Sequence, residues 1–371
     1  MLRKQEQEEA RTEVTEVAPN VLRMELPVAI PGLRHVNCYA LIDNEGAAVV
    51  DPGLPGPSTR EALKHRLAQA GLRETDVHTV VITHSHPDHF GCANWLAKSS
   101  GARIIAYGSF GWGIGVAPEG DHSSQHHEVS VDDLRAHGDT FRAEMASQGG
   151  ISKSMMERWR ERRGRPSPWG GSPLGPPKMD GEMSEVAREM IQEDFFPDIS
   201  HPVAQGDAVR LAGREWFIRY TPGHTADHIC LHCPELKLFL SGDHVLPSIT
   251  PHIAGTGPAE DPLDVFMKSL DEVAEIEGVE RVLPAHGHPF EDLAGRTREI
   301  KRHHHERLDQ VKDIGSELGA ASVVDFSKRL FAERSWGAMA ESETYAHLEH
   351  LRHAREAERY TEDGKLLYLT R

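Results

Sequence analysis

The chain has 371 residues, 38% of them hydrophobic, with 41 basic against 58 acidic side chains and a formal net charge of −17. That length suits one large core with an appendage, no run reaches the roughly 18 to 20 apolar residues of a membrane span, and the acid excess weakens a nucleic-acid partner without excluding one. The four cysteines, Cys38, Cys92, Cys230 and Cys233, are too few for a disulfide framework, so reduced thiols in a cytoplasmic protein are expected.

Residues 1–20 form a polar leader, charged from Met1 to Arg11 where a signal peptide would be apolar. Apolar runs Asn20 to Leu26, Asn37 to Ile42 and Ala47 to Val50 predict short strands, punctuated by Pro31-Gly32 and Pro52-Gly53. Pro57 to Ala70 has helical spacing and Val77 to Ile82 reads as a buried strand. A helix is predicted over Asp88 to Lys98, stopped by Gly101, then a strand over Arg103 to Tyr107. From about 110 to 200 the chain turns polar, Gly/Pro-rich and methionine-rich, as an insertion does. Strands resume at Val209, Glu215 to Tyr220, His228 to Leu231, Leu236 to Leu240 and Arg281 to Leu283, with a helix at Pro262 to Ile276. Residues 296–371 predict three helices, Arg296 to Ile314, Val323 to Phe331 and Glu341 to Arg355, and a hairpin around Asp363-Gly364, the makings of a small winged-helix unit.

The strongest chemical signal is His84-Ser85-His86-Pro87-Asp88-His89, where a buried strand hands over to a helix. Histidines at i and i+2 of an extended loop face the same side, and Asp88 and His89 enter from the first helical turn. Imidazole nitrogen supplemented by carboxylate oxygen suits zinc or a similar cation, in an order able to serve two adjacent ions. Three later turns, Gly223-His224-Thr225, Gly242-Asp243-His244 and Ala285-His286-Gly287-His288, each put a further ligand candidate beside a glycine at a strand end.

These four motifs, with Val49-Val50-Asp51-Pro52-Gly53, resemble the metallo-β-lactamase superfamily over roughly Val21 to Leu293. The resemblance implies an α/β fold: an αββα sandwich as catalytic domain over 21–295, with the helical insertion and the C-terminal winged-helix-like domain. It also implies two divalent metal ions, zinc by default with iron or manganese acceptable. One is held by His84, His86 and His224, the second by Asp88, His89 and His286, and Asp243 bridges them. Asp88 then orients a bridging hydroxide, the nucleophile of a metal-dependent hydrolase, while Asp51 orients a ligand from behind. His228, His244 and His288 are candidate proton donors or surface neighbours of the ligands. Because members that hydrolyse β-lactams lack the bridging aspartate, the resemblance points to an ester, thioester or lactone substrate. The C-terminal helices are similar to those of a branch holding both thioesterases and an endoribonuclease, so RNA or phosphodiester cleavage is the alternative.

The expected partner is a small molecule, with acyl-coenzyme A or an acyl-carrier conjugate in view. Met155, Met156, Trp159, Trp169, Met179, Met183, Met190, Phe195 and Phe196 either pack the insertion's own helices or line a lid over an acyl chain. Arg158, Arg160, Arg162, Arg163 and Arg165 read as a solvated helix face, with phosphate binding as the alternative. The run His303 to His305 spans three directions of a helix and reads as solvated or capping. Cys230 and Cys233, despite their spacing, read as packed, inert thiols.

Overall fold

The computed structural model describes residues 4–30, 32–111, 136, 140, 156–157, 166–172, 182–192, 194–362 and 365–371. The first sheet carries seven strands in sequence order: β1 (Thr15–Ala18), β2 (Val21–Ile30), β3 (Leu33–Asp43), β4 (Gly46–Val50), β5 (Val77–Val81), β6 (Arg103–Tyr107) and β7 (His201–Val203). It is antiparallel from β1 to β4 and parallel from β4 to β7. The second holds β8 (Ala208–Leu211), β9 (Arg214–Tyr220), β10 (Ile229–Cys233), β11 (Leu238–Gly242) and β12 (Arg281–Pro284), antiparallel except for the β11–β12 pair.

The two sheets close on one apolar layer, in which Tyr39, Leu41, Val50, Val81 and Ile105 meet Trp216, Ile218, Tyr220, Leu231 and Leu240. Strand alternation sends the other set of side chains outward. On the first sheet Met24, Val49, Val80 and Ile104 receive helices α1 (Pro57–Gln69), α2 (Pro87–Phe90) and α3 (Ala93–Ser100), which bury Leu63, Leu67, Phe90 and Leu96. A fourth helix, α4 (Glu182–Glu189), adds Val186 to the same core. On the second, Cys230, Phe239 and Val282 receive α5 (Pro262–Ala274) and α6 (Leu293–Leu318). The architecture is an αββα sandwich with a helical C-terminal region.

That region continues with β13 (Ala321–Ser322), α7 (Val323–Leu330), α8 (Ala338–His353) and the hairpin β14 (Ala357–Glu362) and β15 (Lys365–Thr370), in a small sheet ordered β13-β15-β14. Ser322 and Asp325 start α7 with reciprocal bonds, a capping box. The expected domain boundary at 295/296 falls inside the first turn of α6, because Leu293, Ile300, Leu308 and Val311 form one uninterrupted buried stripe.

Two local expectations are corrected. The helix expected over Asp88 to Lys98 is broken into α2 and α3 at Gly91 and Cys92, since the Cys92 amide bonds Gly53 and a Cβ on Gly91 would lie 2.2 Å from Pro55 Cδ. The polar N-terminal leader is built into the fold: Thr15–Ala18 is an edge strand, and Glu6 is buried with its carboxylate on Ser248. Asp363 and Gly364, the expected hairpin turn, lie outside the described residues.

Candidate metal centre

Every candidate ligand sits just past the carboxyl end of a strand. β5 leads to His84, His86, Asp88 and His89, β9 to His224, β11 to Asp243 and β12 to His286. Two backbone bonds pull the sheets together here: Ile229 N–H to Thr83 O at 2.8 Å, and Asn37 N–H to Ala285 O at 2.6 Å. The turns need glycine because their backbone passes too close to neighbouring groups to carry a side chain. At Gly242 (φ 50°) a Cβ would press on the His228 ring at 2.6 Å, and at Gly223 (φ 134°) it would strike Phe266 Cα at 2.5 Å.

All seven candidates are brought together. His84, His86, His224 and Asp243 form one group, and Asp88, His89 and His286 another, with ligand atoms in each within 4.8 Å of one another. Asp243 reaches across both: its Oδ2 lies 3.5 Å from His224 Nε2, 3.6 Å from His89 Nε2 and 4.0 Å from His84 Nε2, and its Oδ1 lies 3.5 Å from His286 Nε2. Asp88 Oδ2 lies 3.4 Å from His286 Nε2 and 3.6 Å from His89 Nε2. His86 is half-buried, whereas the other six candidates are buried.

The surroundings fix which ring nitrogen carries the proton. His89 Nδ1 donates to Asp51 Oδ2 at 2.9 Å, His224 Nδ1 to His252 O at 2.7 Å and His286 Nδ1 to His35 O at 2.7 Å. Thr83 gives its hydroxyl proton to Asp51 Oδ2 at 2.7 Å and so accepts from His84 Nδ1 at 3.0 Å. With Nδ1 engaged outward in all four rings, each Nε2 faces inward, where it can offer a lone pair to a cation.

Inside, His89 Nε2, His286 Nε2 and Asp243 Oδ1 are buried with no hydrogen-bond partner. His84 Nε2 and His224 Nε2 stand 3.1 and 3.0 Å from the same His86 Nδ1, and one proton there satisfies only one of them. Converging lone pairs flanked by carboxylates suit divalent cations, so the residues present fit two such ions.

Charge follows the same geometry. Burial, then the neighbouring imidazoles, holds His84 well below its ordinary pKa, and burial with His224 takes His86 down to about 3. Burial also lowers His89 and His286, but the carboxylates around them overcome it and push both up. Asp88 and Asp243 are lowered against their burial by those imidazoles.

Asp51, buried at φ 52°, also accepts the Thr83 amide at 2.9 Å, so it braces the His84–His89 loop as well as His89. His228, considered as a proton donor, is placed otherwise: it is fully buried, bonds Thr221 Oγ1 through Nδ1 and accepts the Asp243 amide at Nε2, 3.0 Å away. Both nitrogens are used in holding the Asp243 turn. His288 is engaged by Arg11, Arg23 and Glu8, and His244 is buried against Phe266, taken down to about 3 by burial.

Several positioning residues escaped the sequence reading. Asn37 Nδ2 donates to Pro284 O and Gly287 O, Arg23 Nη2 to Gly287 O and Tyr39 OH to Pro284 O, each at 2.8 Å, cradling the His286 turn. Buried Asp227 accepts Ser85 Oγ at 3.1 Å and the Gly111 amide at 2.7 Å; its place three residues after His224 was the available signal.

Of the insertion's apolar set, Met156, Met190, Phe195 and Phe196 are buried in the core outside the first sheet and Trp169 packs on Tyr345. Met155, Trp159, Met179 and the Met183 side chain, with Arg158, Arg160, Arg162, Arg163 and Arg165, lie outside the described residues. The histidine run is corrected: His304 is buried against Phe266 and His347, His303 is half-buried and His305 exposed, because His304 continues the Ile300–Leu308 stripe. Cys230 and Cys233 are free, buried thiols in different apolar layers of the sandwich, and burial pushes both up.

Compared with known proteins, residues 31–111 and 152–288 match a family model described as the metallo-beta-lactamase superfamily. The chain is similar to the Beta-lactamase-like protein 2 homolog of Drosophila melanogaster, 31% identical over 157 residues that cover 40% of this chain and 51% of that protein. It is also similar to the Probable metallo-hydrolase YqjP of Bacillus subtilis, 22% identical over 89% of this chain and 92% of that one. The chain thus spans about half the length of the Drosophila relative. Among solved structures, a metallo-beta-lactamase family protein from Thermus thermophilus superposes with TM-score 0.68 at 24% identity over 96% of this chain and all of that one. A beta-lactamase domain protein from Burkholderia ambifaria does so with TM-score 0.69 at 24% identity, over 98% and 95%.

Proposed function

Because this chain belongs to the metallo-beta-lactamase superfamily, we propose that it is a metal-dependent hydrolase of an ester, thioester or lactone, working with two divalent cations, zinc before iron or manganese. The observation that carries this reading is the inward set of unpaired lone pairs on His89, His286 and Asp243 beside the crowded nitrogens of His84, His86 and His224. Held there, two such cations supply Lewis acidity, polarising a substrate carbonyl and acidifying water near neutral pH.

The chain's own residues do the rest. His84, His86 and His224 would hold one cation and Asp88, His89 and His286 the other, with Asp243 available to both. Asp88 orients the attacking water, while the Nδ1 bonds of four histidines keep the rings from turning as charge develops at the substrate. His228 supports the Asp243 turn, and Asp51 supports His89. The partner is a small acyl conjugate, of coenzyme A or a carrier, met in the cytoplasm.

A panel of acyl-coenzyme A, acyl-glutathione and lactone substrates tests this, with Asp88→Ala as control. Turnover of at least one class, lost in Asp88→Ala, is expected. Inactivity on all of them with clean cleavage of RNA would reverse the assignment in favour of phosphodiester hydrolysis. That second reading is favoured by one observation, the helix–strand–helix–helix–hairpin order after residue 293, which suits a winged helix. The net charge of −17 speaks against it.

A further inference from the structure

The acceptor that orients His224 is a backbone carbonyl, His252 O, in a loop with no regular structure. A carbonyl cannot hold a ligand unless its own loop is held; Arg296 of α6 bonds Ile249 O at 2.8 Å earlier in this loop, and around His252 itself the contacts come from α8, far along the chain. His252 Nδ1 faces Glu343 Oε2 at 3.6 Å, the Gly255 amide meets Ser342 Oγ at 3.3 Å, and Gly255 is pressed so close that a Cβ there would lie 2.5 Å from Tyr345 Cδ1 and 2.9 Å from the Ala346 amide nitrogen. One residue earlier, Glu341 grips a third segment, accepting Trp169 Nε1 at 2.9 Å, the Ser172 amide at 2.7 Å and Ser172 Oγ at 2.9 Å. Three consecutive side chains of one helix thus fasten two separate stretches of the catalytic domain.

Glu343 is itself held from behind, with Arg307 of α6 3.7 Å away. Burial raises its pKa, but His252, His347 and Arg307 bring it down to about 2, so it faces His252 as a carboxylate. Glu349, which with Glu341 is buried on α8 while Glu343 is half-buried, does different work at the far end: it binds Tyr368, Arg352 and Arg359 within the C-terminal region.

We propose that Glu343 is a positioning residue of the metal centre, setting His224 through the His252 carbonyl, so that the C-terminal helix is part of the hydrolytic site and not a separate module. This rests on the metal-centre reading given above. The test compares the full-length chain with Glu343→Ala, Glu343→Gln and Glu349→Gln, titrating zinc against a chromophoric chelator and recording Tm. Glu343→Ala should weaken zinc about 10-fold, the low end for groups behind a ligand. Glu343→Gln, whose amide oxygen still meets His252, should recover most of that. Glu349→Gln should lower Tm with zinc affinity unchanged.

If Glu343→Ala loses Tm but no more zinc affinity than Glu349→Gln, the proposal is overturned while the metal centre stands. A wild-type chain that takes up no zinc would overturn both. Should Glu343→Ala fail to fold, Ser342→Ala, which deletes only the bond to Gly255, carries the same expectation in smaller measure, and unchanged affinity there counts against the proposal equally.

Discussion

Asp51→Asn isolates what a single proton does to the centre. Asparagine tolerates the left-handed backbone at this position (φ 52°) and has the same shape, so the fold is preserved. The carboxylate accepts three bonds: Thr83 N–H at 2.9 Å on Oδ1, and Thr83 Oγ1–H at 2.7 Å with His89 Nδ1–H at 2.9 Å on Oδ2. An amide offers one oxygen, which stays with the Thr83 amide because that donor cannot reverse. The amide nitrogen then replaces Oδ2. Thr83 can rotate to accept from it, but His89 Nδ1–H faces a second donor. His89 must lose the bond or move its proton to Nε2, the nitrogen 3.6 Å from both Asp88 and Asp243. A lost bond to a charged acceptor costs about 1.5–3 kcal/mol, and such partners of ligands are worth about 10- to 100-fold in metal affinity. Equilibration against buffered free zinc, with bound metal counted by elemental analysis, should show one of two ions released at roughly that higher free concentration while the other stays. Two ions held as tightly as in the wild type would refute the tautomer argument.

Gly91→Ala should cost about 1–3 kcal/mol in urea melts, since the new methyl meets the Pro55 ring at 2.2 Å and Pro87 O at 2.6 Å, neither of which can yield; an unchanged midpoint would show that the α2–α3 break is not imposed there. Asn37→Ala removes one of the two 2.8 Å donors on each of Pro284 O and Gly287 O and takes the acceptor from buried Arg23 Nε, so a loss of about 1–3 kcal/mol and faster amide exchange across 284–288 are expected by hydrogen exchange. Stability should fall in acid. Burial takes His304 and His347 down to about 3 and about 4 from 6.5; the unfolded chain therefore binds protons first, and stability present above about pH 6.5 is lost progressively toward pH 4, at up to about 1.4 kcal/mol per unit per histidine. Urea midpoints from pH 7.5 downward should decline less steeply in His347→Gln, and identical slopes would remove the cause.

The candidate ligands were legible because ligation demands particular side chains in a local spacing, and His84 to His89 compresses four of them into six residues. Of the groups that orient them, Asp51 was expected and the others were not. His35 and His252 act through backbone carbonyls, which every residue possesses, and Asn37, Arg23 and Tyr39 sit on β2 and β3, more than 240 residues from the turn they support. Strand positions were readable from apolar runs, but the break at Gly91 depends on Pro55, a tertiary contact that no local pattern carries. Polarity misled twice. Glu6 and Glu25 are buried because Ser248, Arg11 and Arg23 meet them, and His304 occupies an apolar stripe whose spacing was visible while its residue type suggested solvent.

The C-terminal region is bound to the catalytic layers by the same core that covers the second sheet. Ile300, Leu308, Val311, Phe326, Leu348 and Tyr368 belong to one apolar cluster with Phe266 and Leu270 of α5 and Phe239 and Val282 of the sheet. Burying a large apolar side chain is worth about 1.5–3 kcal/mol, so exposing six together would cost about 9–18 kcal/mol, as much as the 5–15 kcal/mol that typically holds a whole domain. Swinging the region outward to grasp a long substrate would have to break the apolar layer it shares with α5 and the second sheet. A partner must instead meet the surface already presented, where Trp336 and Met339 are exposed, and substrate selection has to be achieved without α8 releasing the loop behind His224.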